Sequence, residues 1–238
     1  MHLTLYITAG FPDLESTQRI LDVIEDYPVK AVELGVPYSD PLADGEAIQQ
    51  ASQEALENGI SLSSILGAKL KSTKDVYLMG YFNTFYKYGF EALLQGIQEQ
   101  GMKGTIIPDL PDAYFDAHLK KEFERFGIGQ SFLVTPESSD ERIQLLAQKS
   151  GHFLYAVSRS ATTGGTFAFN ESTSAYLDRL EQLGVKEKTR VGFGISDKAS
   201  AQPYFDKGWN VIVGSAFVKA VKANGVDGAR KFLDSFYS

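Results

Sequence analysis

A chain of 238 residues, 43% of them hydrophobic, can bury one substantial core; its 22 glycines and eight prolines lie scattered between apolar runs, so one domain over 1–238 is expected. The formal net charge of -7 and a pI near 5.1 repel nucleic acid and anionic membrane surfaces, while leaving a small anion free to bind in a local pocket. With no cysteine, three distant histidines (His2, His118, His152) and no long apolar run, neither disulfides, a metal centre nor a membrane span is expected, and a cytoplasmic location is the simplest reading.

Along the chain, short β-rich runs alternate with longer segments of helical period. A strand over 3–8 leads to a helix over 14–25, a strand over 30–34 to helices over 46–57 and 62–72, and a strand over 76–79 to a helix over 87–100. Strands over 104–107, 130–134, 153–157, 190–193 and 210–213 follow. Their helices fall over 112–126, 139–149, 171–183 and 197–206, with two more over 215–223 and 226–236. Ser139 or Asp140, and later Ser196, are the expected N-caps. Eight strands, each followed by helix, predict an α/β fold of (β/α)₈ TIM-barrel type. The first strand opens almost at Met1, so no preceding helix is expected over the barrel floor, which should expose apolar side chains.

In such a barrel the reactive groups belong at the C-terminal ends of the strands. Glu33 interrupts the apolar run Ala31-Val32-Glu33-Leu34-Gly35. Facing inward, its carboxyl would lose hydration and titrate in a useful acid/base range; facing outward, it would pair with a Lys or Arg. The following loop, 35–45, holds two prolines and two glycines, and its Asp40 and Asp44 serve either as turn residues or as functional acids. Near the other end, Gly192-Phe193-Gly194 and Gly214-Ser215 follow strands seven and eight and run toward helix N-termini. Backbone N–H groups there suit a phosphate, although tight turns alone would use the same glycines. The polar loop 158–166 is long enough to close over a ligand or to lie idle in solvent.

The run from Glu33 to Gly45 resembles the signature of the tryptophan synthase alpha chain family. Tyr6-Ile7-Thr8-Ala9-Gly10, Tyr81-Phe82-Asn83, Pro108-Asp109-Leu110-Pro111, Tyr155 to Ser160 and Gly192 to Ser196 match it in order along nearly the whole chain. The resemblance implies a lyase that splits indole-3-glycerol phosphate into indole and glyceraldehyde 3-phosphate, with Glu33 as acid/base and Asp44 holding the indole N–H. It implies phosphate contacts at Gly164, Gly165, Gly194, Gly214 and Ser215, substrate binding by Thr163 in the lid, and a pocket lined by Tyr6, Tyr81, Tyr155 and Phe193. It further implies no cofactor in this chain and a pyridoxal-phosphate β subunit as partner in an αββα assembly, met by the loops at 37–40 and 109–111. The lid reads Ser160-Ala161-Thr162-Thr163-Gly164-Gly165, where the family usually has Gly then Val before the Thr-Gly pair, and Glu46 follows Gly45 where many relatives carry Pro. A free-standing indole-releasing lyase, a barrel acting on another sugar phosphate and a mainly structural or allosteric subunit are the competing readings.

Overall fold

The computed structural model describes residues 2–41, 44–157, 169–192 and 194–238. Among the described residues there are nine strands: β1 (Leu3–Thr8), β2 (Val29–Gly35), β3 (Asp75–Met79), β4 (Gly104–Ile106), β5 (Gly129–Ser131), β6 (Leu133–Val134), β7 (Leu154–Val157), β8 (Thr189–Gly192) and β9 (Asn210–Val213). All pairings are parallel, in the order β5-β4-β3-β2-β1-β9-β8-β7-β6. The two edges, β5 and β6, are one stretch of chain, so the ring is the expected TIM barrel with its fifth strand split.

Phe132 causes the split. Its N–H donates to Ser150 Oγ at 3.1 Å instead of joining a ladder, and its carbonyl accepts from Tyr155 N–H at 2.9 Å. Its buried ring meets Phe115 edge-on at 5.4 Å, locking the side chain into the helical layer. The strand expected over 130–134 is therefore two strands.

The helices are α1 (Leu14–Glu25), α2 (Glu46–Glu57), α3 (Leu62–Gly67), α4 (Phe82–Tyr88), α5 (Phe90–Glu99), α6 (Asp112–Tyr114), α7 (Lys120–Phe126), α8 (Asp140–Lys149), α9 (Glu171–Gln182), α10 (Lys198–Asp206) and α11 (Ser215–Tyr237). Several differ from expectation for local reasons. The segment predicted over 87–100 starts earlier, at Phe82, and breaks at Gly89, whose φ of 92° no helix residue adopts. α3 stops at Gly67, short of the expected residue 72. A π-helical turn, Phe115–Leu119, joins α6 to α7. The two terminal helices expected over 215–223 and 226–236 are both present, with α11 broken between them by the non-helical backbone of Asn224 and Gly225. Ser139 caps α8 as expected, but Asp197, not Ser196, caps α10, because Asp197 lies three residues before Ser200 and accepts its N–H at 2.8 Å in a capping box.

Strand register fixes which side chains enter the barrel. Tyr6 pairs with Glu33 and Glu33 with Tyr77, while Tyr155 pairs with Arg190. Ala31, Tyr77, Ile106, Phe153, Tyr155 and Ile212 form an inner apolar cluster, separate from the larger core between strands and helices. The floor differs from expectation: the Arg190 guanidinium lies 4.1 Å from the Phe153 ring centre and 5.0 Å from that of Tyr77, covering both rings. Phe153 is 2% exposed and Tyr77 3%.

Close packing between β4 and β5 needs glycine. A Cβ on Gly104 would stand 2.4 Å from the Gly129 carbonyl oxygen and 2.9 Å from the His152 ring. Gly104→Ala is expected to destabilise the chain by about 1–3 kcal/mol, since the obstructing atom is backbone. Urea unfolding measures this; an unchanged midpoint would mean that β4 and β5 separate at negligible cost.

Candidate active site

β2 carries Glu33 into the barrel two residues before the strand ends. The side chain is fully buried, and neither carboxyl oxygen has a hydrogen-bond partner among the described residues. Burial pushes its pKa up to about 8, against the opposing attraction of Arg190 and the nearby Tyr155 hydroxyl. At neutral pH the group is therefore mainly a carboxylic acid holding a proton it can deliver.

Asp44 reaches the same mouth from the loop after β2. Its Oδ2 accepts from the Tyr81 hydroxyl at 3.2 Å, and Tyr81 is stacked on Tyr38 at 4.7 Å. Burial raises the Asp44 pKa to about 6, tempered by that hydrogen bond. Between roughly pH 6 and 8 one acid is ionised while the other keeps its proton. Two like groups driven apart in this way are equipped for different roles.

Two buried tyrosines complete the walls. Burial pushes both the Tyr6 and Tyr155 hydroxyls well up, and each also feels the negative charge of Asp44 and Glu33. Both tyrosines are thus within electrostatic reach of both acids. Glycine makes room for the rings: a Cβ on Gly35 would lie 2.1 Å from the Tyr6 hydroxyl, and one on Gly192 would lie 2.9 Å from Tyr155 Cε1.

On the other side of β1, β9 ends at Val213, and Gly214 leads directly into α11 at Ser215. No side chain caps this N-terminus, so the amides of its first turn face the mouth with partial positive charge. Gly45, next to Asp44, packs against Ser215: a Cβ there would be 3.1 Å from Ser215 Oγ. Gly194 follows the neighbouring strand β8 with a φ of 64°, a conformation suited to glycine. The loop after β8 departs from expectation, because the α10 N-terminus is already occupied by the Asp197 carboxylate. Of the two helix ends anticipated for an anion, α11 is the open one.

The fold thus brings together Glu33, Asp44, Tyr6, Tyr81 and Tyr155, with Gly194, Gly214 and Ser215 on adjoining strand ends. Thr163, Gly164, Gly165 and Phe193 lie outside the described residues. Sequence reasoning missed Arg190, although a lone Arg in Thr189-Arg190-Val191-Gly192 interrupts its strand as Glu33 interrupts β2. It also missed Tyr38, and Asp109 as the acceptor that holds the Phe82 N–H at 2.8 Å and anchors the start of α4. Among the described residues, no group of three or more His, Asp or Glu side chains converges as metal ligands would, and no helix is long and apolar enough to cross a membrane.

Residues 1–237 match the family model described as "Tryptophan synthase alpha chain". The tryptophan synthase alpha chain of Christiangramia forsetii is 40% identical over 235 residues, covering 97% of this chain and 92% of its own. That of Parabacteroides distasonis is 40% identical over 225 residues, covering 93% and 88%. Among solved structures, the tryptophan synthase A-subunit of Pyrococcus furiosus superposes with a TM-score of 0.88 at 31% identity, covering 99% and 97%. Tryptophan synthase from M. tuberculosis gives 0.86 at 28% identity, covering 99% and 90%.

Proposed function

The chain belongs to the tryptophan synthase alpha chain family, and from that premise we propose that Glu33 and Asp44 are the pair of acids with which it works. It is a carbon–carbon lyase of tryptophan biosynthesis that cleaves indole-3-glycerol phosphate. Cleavage starts when the Glu33 carboxyl protonates indole C3, leaving a cationic ring whose N–H donates to the Asp44 carboxylate. The hydroxyl on the adjoining side-chain carbon then returns a proton to Glu33. The C–C bond breaks, its electron pair neutralises the ring, and indole and glyceraldehyde 3-phosphate separate.

Tyr6, Tyr81, Tyr155 and Phe193 wall the indole and glycerol, since flat apolar rings favour aromatic neighbours. Gly164, Gly165, Gly194, Gly214 and Ser215 hold the phosphate, and Thr163 belongs to the segment that closes over it. The observation carrying this reading is the burial of two acids beside the same two tyrosines, Tyr6 and Tyr155, which pushes Glu33 up to about 8 and Asp44 only to about 6 and so sets them in opposite protonation states between those values.

That opposition predicts a bell-shaped dependence of kcat/KM on pH. Activity falls below about 6 as Asp44 takes up a proton, and above about 8 as Glu33 loses the one it must deliver. Indole release from indole-3-glycerol phosphate, measured from acid to alkaline pH, checks both limbs. A profile flat across that range would remove the pair from the mechanism.

The family works with a β subunit. The same proposal has the partner carrying pyridoxal phosphate in an αββα assembly, with residues 1–238 acting as one cytoplasmic domain that binds no cofactor itself. Loops 37–40 and 109–111 face that partner. The former borders an open groove of about 360 Å³ lined by Tyr38, Ser39, Asp40 and glutamines of α2. Repeating the assay with a cognate β subunit separates a coupled subunit from a free-standing lyase: an unchanged rate and elution volume would favour the latter.

A further inference from the structure

The end of the barrel remote from Asp44 holds a second, smaller cavity of about 100 Å³. Its walls come from strand beginnings: His2 before β1, Lys30 on β2, His152 before β7, and Glu187, Lys188 and Arg190 around the start of β8. Two lysines, an arginine and two imidazoles therefore face one lining carboxylate, in a chain whose net charge is -7.

These charges are largely unanswered. Among the described residues Lys188 and Arg190 form no ion pair, and Lys30 reaches only Asp75, at 4.0 Å. Burial lowers the pKa of Lys188. The two imidazoles are also less basic than usual, His2 through burial and the neighbouring cations and His152 through burial above all. Arg190 is held by its two rings, by one donated bond from Nη1 to Thr4 Oγ1 at 3.3 Å, by a hydrogen bond to the Tyr77 hydroxyl and by attraction to Glu33, which together leave part of its five-donor fork to face the cavity. Mutually repelling cations around a cavity are what an oxyanion relieves.

We infer that this N-terminal mouth is a binding site for a small tetrahedral oxyanion, a phosphate-type group held by Lys30, Lys188 and Arg190 with His2 and His152 at its rim. The site is distinct from the substrate phosphate site, which lies at the opposite strand ends. Its volume accepts a single phosphoryl group and not a bulky organic ligand.

The three histidines make the test internal. Two line the cavity, while His118 packs against Tyr114 in the helical layer, the rings tilted with centres 4.5 Å apart. Ring signals of all three are followed by NMR while inorganic phosphate replaces chloride at constant ionic strength and pH. His2 and His152 are expected to shift together and saturate with a midpoint on the order of 1–10 mM, while His118 stays still. Lys188→Ala should weaken that midpoint about tenfold, as loss of one charge-assisted contact implies; Lys30→Ala serves if Lys188→Ala does not fold. Shifts that rise without saturating, move all three histidines alike, or persist unchanged in a folded lysine variant would overturn the assignment.

Discussion

Glu33→Gln is expected to lower the rate of indole release by about three orders of magnitude while leaving affinity for a glycerol phosphate within about twofold of the parent chain. Gln keeps the size and shape of the side chain but has no proton to give to indole C3 and cannot collect one from the glycerol hydroxyl. The proposed phosphate contacts at Gly214 and Ser215 lie on a different segment, between β9 and α11, so ground-state binding should survive. Retained cleavage in a folded variant would take Glu33 out of the chemistry.

The same substitution carries a stability signature that a purely structural residue would lack. Because the carboxyl is raised from its ordinary value of 4.5 to about 8 in the folded chain, the unfolded chain ionises first as pH rises. The native state is therefore unpenalised below about 4.5, loses stability progressively up to about 8, and stays penalised above it. At neutral pH the penalty is on the order of a few kcal/mol. Urea unfolding of Glu33→Gln should show that part of the slope flattened; an identical slope would mean that Glu33 does not titrate anomalously.

How far such a residue is visible in sequence depends on which face of its strand it takes. Barrel strands are covered on both sides and read as continuous apolar runs, so Glu33 in Ala31-Val32-Glu33-Leu34 announces something unusual without saying which way it points. Register against Tyr6 and Tyr77 decides that. Arg190 carries the same ambiguity, and its inward position gives Glu33 its opposing charge and the floor its cover. The (β/α)₈ order and the glycine-rich strand ends were legible because periodicity and glycine placement are local. The split at Phe132 was not, because its cause is the hydroxyl of Ser150, 18 residues away. Asp197 and Ser196 are equally good capping types. Their ranking rests on where Ser200 falls, which the capping-box spacing signals only once the first helical residue is known.

Asp44→Asn isolates charge from geometry at the second acid. The Asn oxygen can still accept from the Tyr81 hydroxyl, as Asp44 does at 3.2 Å, and from an indole N–H, so substrate placement should be preserved and KM should move little. What disappears is the negative charge facing a ring that becomes cationic once C3 is protonated. In a half-buried mouth, where water cannot compensate, that loss is expected to lower kcat by about two orders of magnitude. It should also abolish the acid limb of the pH profile near 6, because no group titrating there remains. Tyr81→Phe provides the contrast: it removes the donor that steadies Asp44, leaves the charge, and should shift the acid limb upward with a smaller fall in rate. An Asp44→Asn chain that cleaves within about twofold of the parent and keeps its acid limb would assign that limb to another group and reduce Asp44 to a turn residue between Pro41 and α2.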